Sequence, residues 1–164
     1  MQVELINVIK QLGLTLTAKD LLLTTAESCT GGMVAATITS VSGSAQWFER
    51  GFVTYSNAAK EEMLGVNPKA IMEFGVVSEE VVMQMAEGAL ENSNADISLA
   101  ITGIAGPTGG TIEKPVGTVC FAWASVNAKT IVKLQHFSGD RAEIRQQATE
   151  YALTQLLEII TGDD

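Results

Sequence analysis

The spacing of apolar residues predicts alternating helices and strands in the first part of the chain. Apolar residues recur every three positions over 3–12, which places them on one helical face. The apolar and β-branched run 21–25 predicts a short buried strand, and a helix is expected over 33–39. Aromatic and β-branched residues indicate a second strand at 51–56, and a short helix is expected at 57–64.

The second half of the chain adds a capped helix, a central strand and a hairpin. Ser78 is a suitable N-cap, and the predicted buried stripe behind it consists of Val82, Met85, Ala86 and Ala89. The run 97–102 is apolar throughout instead of alternating, so we expect a central strand that is covered on both faces. Strands at 116–126 and 129–137 are separated by a tight turn, which predicts an antiparallel pair.

A long amphipathic helix completes the predicted architecture. Asp140 and Glu143 have the spacing of a capping box, and a 3.6-residue apolar period follows them to the end of the chain. Strands alternating with helices predict an α/β fold, a layered α/β/α sandwich around a mixed parallel/antiparallel sheet. The 164 residues suit a single domain over 1–164, and a hydrophobic fraction of 46% excludes intrinsic disorder.

Charge and residue inventory remove several functional classes. The chain has 10 basic and 19 acidic residues, a net charge of −9, and no basic cluster, so nucleic acid is not an expected partner. One histidine and two cysteines argue against a zinc cluster or a Ser-His-Asp triad. No apolar run approaches the roughly 20 residues of a membrane helix. Charged residues also interrupt the N-terminal apolar stretches, so a cytoplasmic protein without a membrane partner is expected.

The segment Glu27-Ser28-Cys29-Thr30-Gly31-Gly32 is the first candidate for chemistry. A strand end, a hydroxyl-rich turn and a helix start present backbone N–H groups that can bind an anion or stabilise an oxyanion, so Thr30, Gly31 and Gly32 are predicted substrate contacts. Ser28, Cys29 and Thr30 are all possible nucleophiles. The alternative is that a hydroxyl only caps the helix and the glycines only permit close packing.

Lys60 is the second candidate, because it follows Ser28 by one helix and one strand. Neighbouring strands can direct both side chains into one cleft, and a buried lysine that has lost its charge can accept a serine proton. The other interpretation is a solvated lysine beside Glu61 and Glu62 on a surface helix.

A glycine-rich loop and two arginines are further candidates for substrate binding. Thr102 and Gly103 follow the predicted central strand, where α/β sheets usually bind ligands, although the spacing is not that of a dinucleotide fingerprint. Arg141 and Arg145 lie one turn apart near a helix start and could clamp a phosphate. Ion pairs with nearby glutamates are the alternative for both arginines.

Taken together, these segments resemble the C-terminal domain family of the competence-damage inducible protein CinA. The matching blocks cover nearly the whole chain in the same order, at 26–32, 51–57 with Lys60, 75–80, 102–107, 114–118 and 138–141. The resemblance implies an amidase that hydrolyses the carboxamide of nicotinamide mononucleotide (NMN) to nicotinic acid mononucleotide and ammonia. It further implies Ser28 and Lys60 as the catalytic pair, Tyr55 in the same catalytic pocket, and a homodimer.

A Ser-Lys pair supplies its own nucleophile and base, so neither a cofactor nor a metal is expected. Two alternatives to this function stay open at the level of sequence. One is a non-enzymatic nucleotide-binding or regulatory module, in which Ser28 only caps a helix, and the other is an amidase for a different small amide.

Overall fold

In a computed structural model that describes residues 2–162, five strands form one sheet between two layers of helices. The predicted α/β sandwich around a mixed sheet is confirmed. In chain order the elements are α1 (Val3–Ala18), β1 (Leu23–Glu27), α2 (Met33–Thr39), a 3₁₀ turn (Ser44–Gln46), β2 (Phe48–Val53), α3 (Asn57–Leu64), α4 (Pro68–Phe74), α5 (Glu79–Glu91), β3 (Ile97–Gly103), β4 (Thr118–Ser125), β5 (Ala128–His136) and α6 (Arg141–Thr161).

The order of the strands across the sheet is β2-β1-β3-β4-β5. Strand β1 runs parallel to both β2 and β3, whereas β3-β4 and β4-β5 are antiparallel pairs. The predicted hairpin is therefore confirmed as β4-β5. Strand β3 lies in the middle of the sheet and is buried along its whole length except at its last residue, as its continuous apolar run predicts.

The two faces of the sheet carry side chains of different size. On β4, Val119, Phe121 and Trp123 pack into a core shared with α1, α2 and α6. The alternate residues of the same strand, Cys120, Ala122 and Ala124, pack with α5 on the other face. Successive strand residues point to opposite faces of the sheet. Helix α5 therefore packs against small side chains, whereas aromatic rings fill the space between the sheet and α6.

The structure shifts some predicted boundaries and adds one helix. Helix α1 continues to Ala18, well past residue 12, because Leu16 is also fully buried against the sheet. The second strand is Phe48–Val53 and not 51–56, so residues 54–56 form a loop. Helix α4 was not predicted from the sequence; Pro68 occupies its first turn, and the Asn67 side chain accepts a hydrogen bond from the N–H of Lys69.

Two helix caps form as their sequence patterns predict. Ser78 accepts a hydrogen bond from the N–H of Val81 at the start of α5. Asp140 and Glu143 form the reciprocal capping box of α6. Across residues 2–162, none of the helices combines the length and the apolar character needed to span a bilayer.

Candidate active site

The loops that follow the three parallel strands meet at one edge of the sheet. Parallel strands end at the same edge, so the residues after β1, β2 and β3 become neighbours there. A cavity of about 260 Å³ opens at this edge. Its lining consists of Ser28, Cys29, Tyr55, Asn57, Lys60, Val76, Val77, Thr102, Gly103, Ile104, Ala105, Gly106, Thr108, Gly109 and Arg141.

Ser28 and Lys60 are in direct contact inside this cavity. Lys60 lies in α3, which is capped by Ser56, and its side chain is 1% exposed. Its Nζ donates to Ser28 Oγ at 2.9 Å and to the backbone carbonyls of Thr54 and Tyr55 at 2.8 and 3.2 Å. The structure thus brings together the two residues proposed as nucleophile and base, and the lysine is not solvated.

Burial changes the proton affinity of this lysine. Loss of hydration disfavours the ammonium form, and it lowers the pKa of Lys60 from 10.5 to about 8. No ion pair neutralises Lys60 among the residues that the structure describes. At that pKa, roughly 9% of the amine is neutral at pH 7, against about 0.03% for an unperturbed lysine. The amine therefore has the property that a general base requires.

Arg141 and Tyr55 line the same cavity and bind each other. The Arg141 Nη2 donates to the Tyr55 hydroxyl at 3.1 Å, and its Nη1 donates to the Gly106 carbonyl at 2.8 Å. The Tyr55 side chain is largely exposed, and its hydroxyl contacts the arginine whereas its backbone carbonyl contacts Lys60. Tyr55 thus contacts Lys60 through its backbone carbonyl, and its phenol hydroxyl accepts a hydrogen bond from Arg141.

Four residues predicted as substrate contacts do not line the cavity. The Thr30 hydroxyl and the Gly32 N–H both donate to the Glu27 carboxylate. Arg145 donates to the carbonyls of Cys29 and Thr30, and its guanidinium lies next to Gly31. The polar groups that sequence reasoning offered to a ligand are therefore engaged within the protein, whereas Thr102 and Gly103 do border the cavity.

Cys29 borders the cavity but is a poor candidate for the nucleophile. Burial raises the pKa of its thiol to about 12, and the Glu27 carboxylate adds to the shift. A thiol with this pKa contains almost no thiolate at neutral pH. The Ser28 hydroxyl, which already contacts an amine, is better placed for attack.

Asn57, Val76 and Val77 line the cavity but were not among the predicted site residues. Asn57 had a usable signal, because it precedes Lys60 by three residues and so shares its helical face. The two valines lie in the matching family block 75–80, but a valine before a helix cap is also typical of ordinary packing, so their residue type alone did not assign them to a site. Over residues 2–162, no three His, Cys, Asp or Glu side chains form a group that could hold a metal ion.

Comparison with known proteins gives a consistent result. The CinA C-terminal domain profile matches residues 6–160. The nicotinamide-nucleotide amidohydrolase PncC of Escherichia coli K12 is 54% identical over 153 residues, which is 93% of each chain. The PncC of Enterobacter agglomerans is 50% identical over 151 residues, or 92% of each chain.

Solved structures agree with the sequence matches. The competence/damage inducible protein CihA of Agrobacterium tumefaciens superposes with a TM-score of 0.94 at 39% identity, covering 99% of this chain and 98% of that one. A CinA superfamily protein of Escherichia coli gives 0.91 at 38% identity, covering 97% and 93%. The same fold with this level of identity over nearly the full length leaves one assignment: the chain belongs to the CinA C-terminal domain family.

Proposed function

We propose that this protein hydrolyses the carboxamide of NMN to nicotinic acid mononucleotide and ammonia, with Ser28 as nucleophile and Lys60 as general base. The observation that carries the proposal is the 2.9 Å hydrogen bond between Lys60 Nζ and Ser28 Oγ in a cavity. The protein is a hydrolase acting on an amide C–N bond, since relatives named as nicotinamide-nucleotide amidohydrolases are 50–54% identical over nearly its full length.

The surroundings of the lysine explain how it would take the serine proton. The carbonyls of Thr54 and Tyr55 accept two of the Nζ hydrogens, so the remaining tetrahedral position faces Ser28 Oγ. In the neutral amine this position holds the lone pair. The Ser28 proton passes to Nζ as Oγ attacks the carboxamide carbon, and an electron pair moves onto the amide oxygen.

Collapse of the tetrahedral intermediate completes the first half of the reaction. The C–N bond breaks, the departing nitrogen takes the proton from Lys60, and ammonia leaves an ester on Ser28. Lys60, neutral again, then accepts a proton from water as the water oxygen attacks the ester carbon. The acid product leaves, and the proton returns to Ser28 Oγ. No step needs a cofactor.

The cavity also offers a place for the phosphate of the substrate. Arg141 provides a cation with planar donors, and the cavity-lining loop 103–109 borders it through the carbonyl of Gly106. We therefore assign the phosphate to Arg141 and the carboxamide to Ser28 and Lys60, with Thr102 and Gly103 along the cavity wall. Arg145, Thr30, Gly31 and Gly32 support the Ser28 loop in this arrangement.

A homodimer and a cytoplasmic location are further parts of the proposal. They rest on the family resemblance and on composition. Light scattering coupled to size-exclusion chromatography measures the mass in solution, and a value near 17.4 kDa would contradict the dimer.

The test of the proposal is ammonia release from NMN by purified protein, with nicotinamide and NAD as alternative substrates. We expect release from NMN, loss of turnover by at least about 1,000-fold in Ser28→Ala, and near-normal turnover in Cys29→Ala. Both variants are first shown to be folded by circular dichroism. NMN binding without ammonia release would instead support a nucleotide-binding module, and an active Ser28→Ala would remove Ser28 from the mechanism.

A further inference from the structure

The carboxylate of Glu27, the last residue of β1, is buried under the loop that carries Ser28. It is 1% exposed. Its Oε1 accepts from the Thr30 hydroxyl at 2.6 Å and from the N–H groups of Gly32 and Val34 at 3.2 and 2.9 Å. Its Oε2 accepts from the N–H of Ala35 at 3.0 Å. One side chain therefore binds four donors that lie three to eight residues further along the chain.

Arg145 contacts the same loop through its backbone acceptors, whereas Glu27 contacts the donors. Its Nε donates to the Cys29 carbonyl at 3.1 Å, and its Nη2 donates to the Thr30 carbonyl at 3.0 Å. A planar guanidinium that contacts two successive carbonyls fixes their relative orientation. Glu27 thus accepts from one hydroxyl and three N–H groups within residues 30–35, and Arg145 donates to the carbonyls of residues 29 and 30.

Within residues 2–162, neither the Glu27 carboxylate nor the Arg145 guanidinium forms an ion pair. The Glu27 carboxylate accepts hydrogen bonds from the loop and from the start of α2, and the Arg145 guanidinium donates to loop carbonyls. A buried carboxylate is costly unless it is fully hydrogen-bonded, and the Ser28 loop supplies those bonds. The conformation of this loop is therefore coupled to the presence of the carboxylate.

We propose that Glu27 and Arg145 are positioning residues, which hold the 28–32 loop so that Ser28 Oγ stays within hydrogen-bond distance of Lys60 Nζ. This inference deepens the proposed amidase function and rests on it for its kinetic consequence. The Glu27 backbone carbonyl contributes too, because it accepts from the N–H of Thr54, whose own carbonyl holds Lys60. Nucleophile and base are thus tied to the end of the same strand.

The two cysteines of the chain allow the position of the loop to be measured without activity. Cys29 follows Ser28 directly, is 7% exposed, and has a pKa that burial raises to about 12. Cys120 is buried in β4, and its thiol reports opening of the core. Mass spectrometry after brief treatment with iodoacetamide gives the alkylation rate of each thiol in one sample.

The central variant is Glu27→Gln, which keeps the size of the side chain but presents an NH₂ group to backbone donors. We expect kcat for NMN to fall about 10- to 100-fold, with KM within about threefold, because misplacing a nucleophile by a fraction of an ångström costs turnover more than binding. Cys29 alkylation is expected to rise at least about 10-fold while the Cys120 rate stays unchanged. Arg145→Lys replaces the planar guanidinium by a single nitrogen that no longer fixes the relative orientation of the two carbonyls, so it shifts both readouts in the same direction by a smaller factor.

The matched control is Asn67→Ala, which removes the side-chain cap of α4 outside the cavity lining. We expect Asn67→Ala to lower stability without changing kcat or the Cys29 alkylation rate. If Glu27 only stabilised the fold, Glu27→Gln would likewise lower stability and leave kcat and the Cys29 alkylation rate unchanged. Unchanged kcat and unchanged Cys29 labelling in Glu27→Gln would overturn the proposal, and so would equal acceleration at Cys29 and Cys120.

A replacement variant and a readout that does not depend on activity complete the experiment. If Glu27→Gln does not fold, Thr30→Val, which removes one donor to Glu27 with little change of shape, replaces it under the same criteria. If the unmodified protein releases no ammonia from NMN, the proposed function fails. The labelling rates of Cys29 and Cys120 then still decide whether Glu27 holds the loop.

Discussion

A single lysine shows how burial produces chemistry at the scale of the residue. The aliphatic part of Lys60 packs in the interior, and its amine ends at Ser28 and at two carbonyls. Among the described residues no carboxylate reaches it, so no ion pair offsets the cost of desolvation, and burial lowers the pKa to about 8. Glu61 and Glu62, its neighbours in sequence, lie on other faces of α3.

The pH dependence of turnover tests the role of this lysine. Because only the neutral amine accepts a proton, kcat/KM, which reports groups of the free enzyme, should rise almost tenfold per pH unit below pH 7.5 and level off above the pKa of about 8. Lys60→Arg keeps the charge but cannot be deprotonated, so it should lose turnover across pH 6–9. Lys69→Arg, on the exposed side of α4, is the control. Substantial activity in Lys60→Arg would mean that the lysine contributes only charge.

In the proposed function, recognition of the phosphate depends on Arg141. Losing a charged hydrogen bond costs about 1.5–3 kcal/mol, so Arg141→Ala should weaken NMN binding roughly 10- to 150-fold. Nicotinamide riboside, which has no phosphate, should bind equally to both proteins. Isothermal titration with the two ligands measures this difference, and Arg50→Ala, on β2 and paired with Glu49, serves as the control. Equal losses for both ligands would assign Arg141 a structural role.

At the scale of elements, close contact between α3 and α5 depends on Gly88. A Cβ at this position would lie 1.9 Å from the carbonyl oxygen of Leu64, the last residue of α3. Helix α3 carries Lys60, so we expect the packing of α5 against the C-terminal end of α3 to affect the position of the Lys60 amine. The small residues that β4 presents to α5 serve the same close packing.

Gly88→Ala is therefore expected to destabilise the protein, although alanine is the better helix former by about 1 kcal/mol. We expect a loss of about 1–3 kcal/mol in the free energy of unfolding, because a backbone oxygen must move to admit the methyl group. Urea denaturation measures this loss. Met83→Ala, on the partly exposed side of the same helix, should change stability less, and a stabilised Gly88→Ala would show that α3 shifts at no cost.

At the scale of the whole molecule, the site exists only where five separate segments meet. The cavity wall is formed by the loop after β1, the segment from the end of β2 into α3, the α4–α5 connection, the end of β3 with the loop that follows it, and the first turn of α6. The protein carries a net charge of −9, yet the cavity presents Lys60 and Arg141. A local positive site in an acidic protein suits a small anionic substrate and not a polyanion.

The complete reaction should proceed without a metal ion. Ser28 and Lys60 provide a nucleophile and a base, so dialysis against EDTA should leave the rate of ammonia release from NMN within about twofold of the untreated protein. A parallel sample with Mg²⁺ or Zn²⁺ added back is the control. Loss of activity on chelation together with its recovery on metal addition would require a different mechanism.

Local patterns in the sequence predicted much of the fold and, together with the family blocks, indicated the two residues that we propose as nucleophile and base. Helix caps at Ser78 and Asp140 were predictable because a cap depends on residues three positions apart. The central position of β3 followed from its unbroken apolar run. Ser28 and Lys60 were predicted to lie together because a hydroxyl-rich turn, a lysine 32 residues later and the family blocks lie in a recognisable order, and the structure brings the two side chains into contact.

The tertiary structure alone decided which polar groups face the substrate cavity and which hold the protein together. Arg141 and Arg145 lie one turn apart on α6 and look equivalent in sequence, yet only Arg141 lines the cavity, while Arg145 contacts carbonyls 115 and 116 residues away. Glu27 binds the backbone groups that sequence reasoning had offered to an anion. Such assignments depend on strand register and on the packing of α6 against α2, which bring together groups far apart in the chain and leave no local pattern to read.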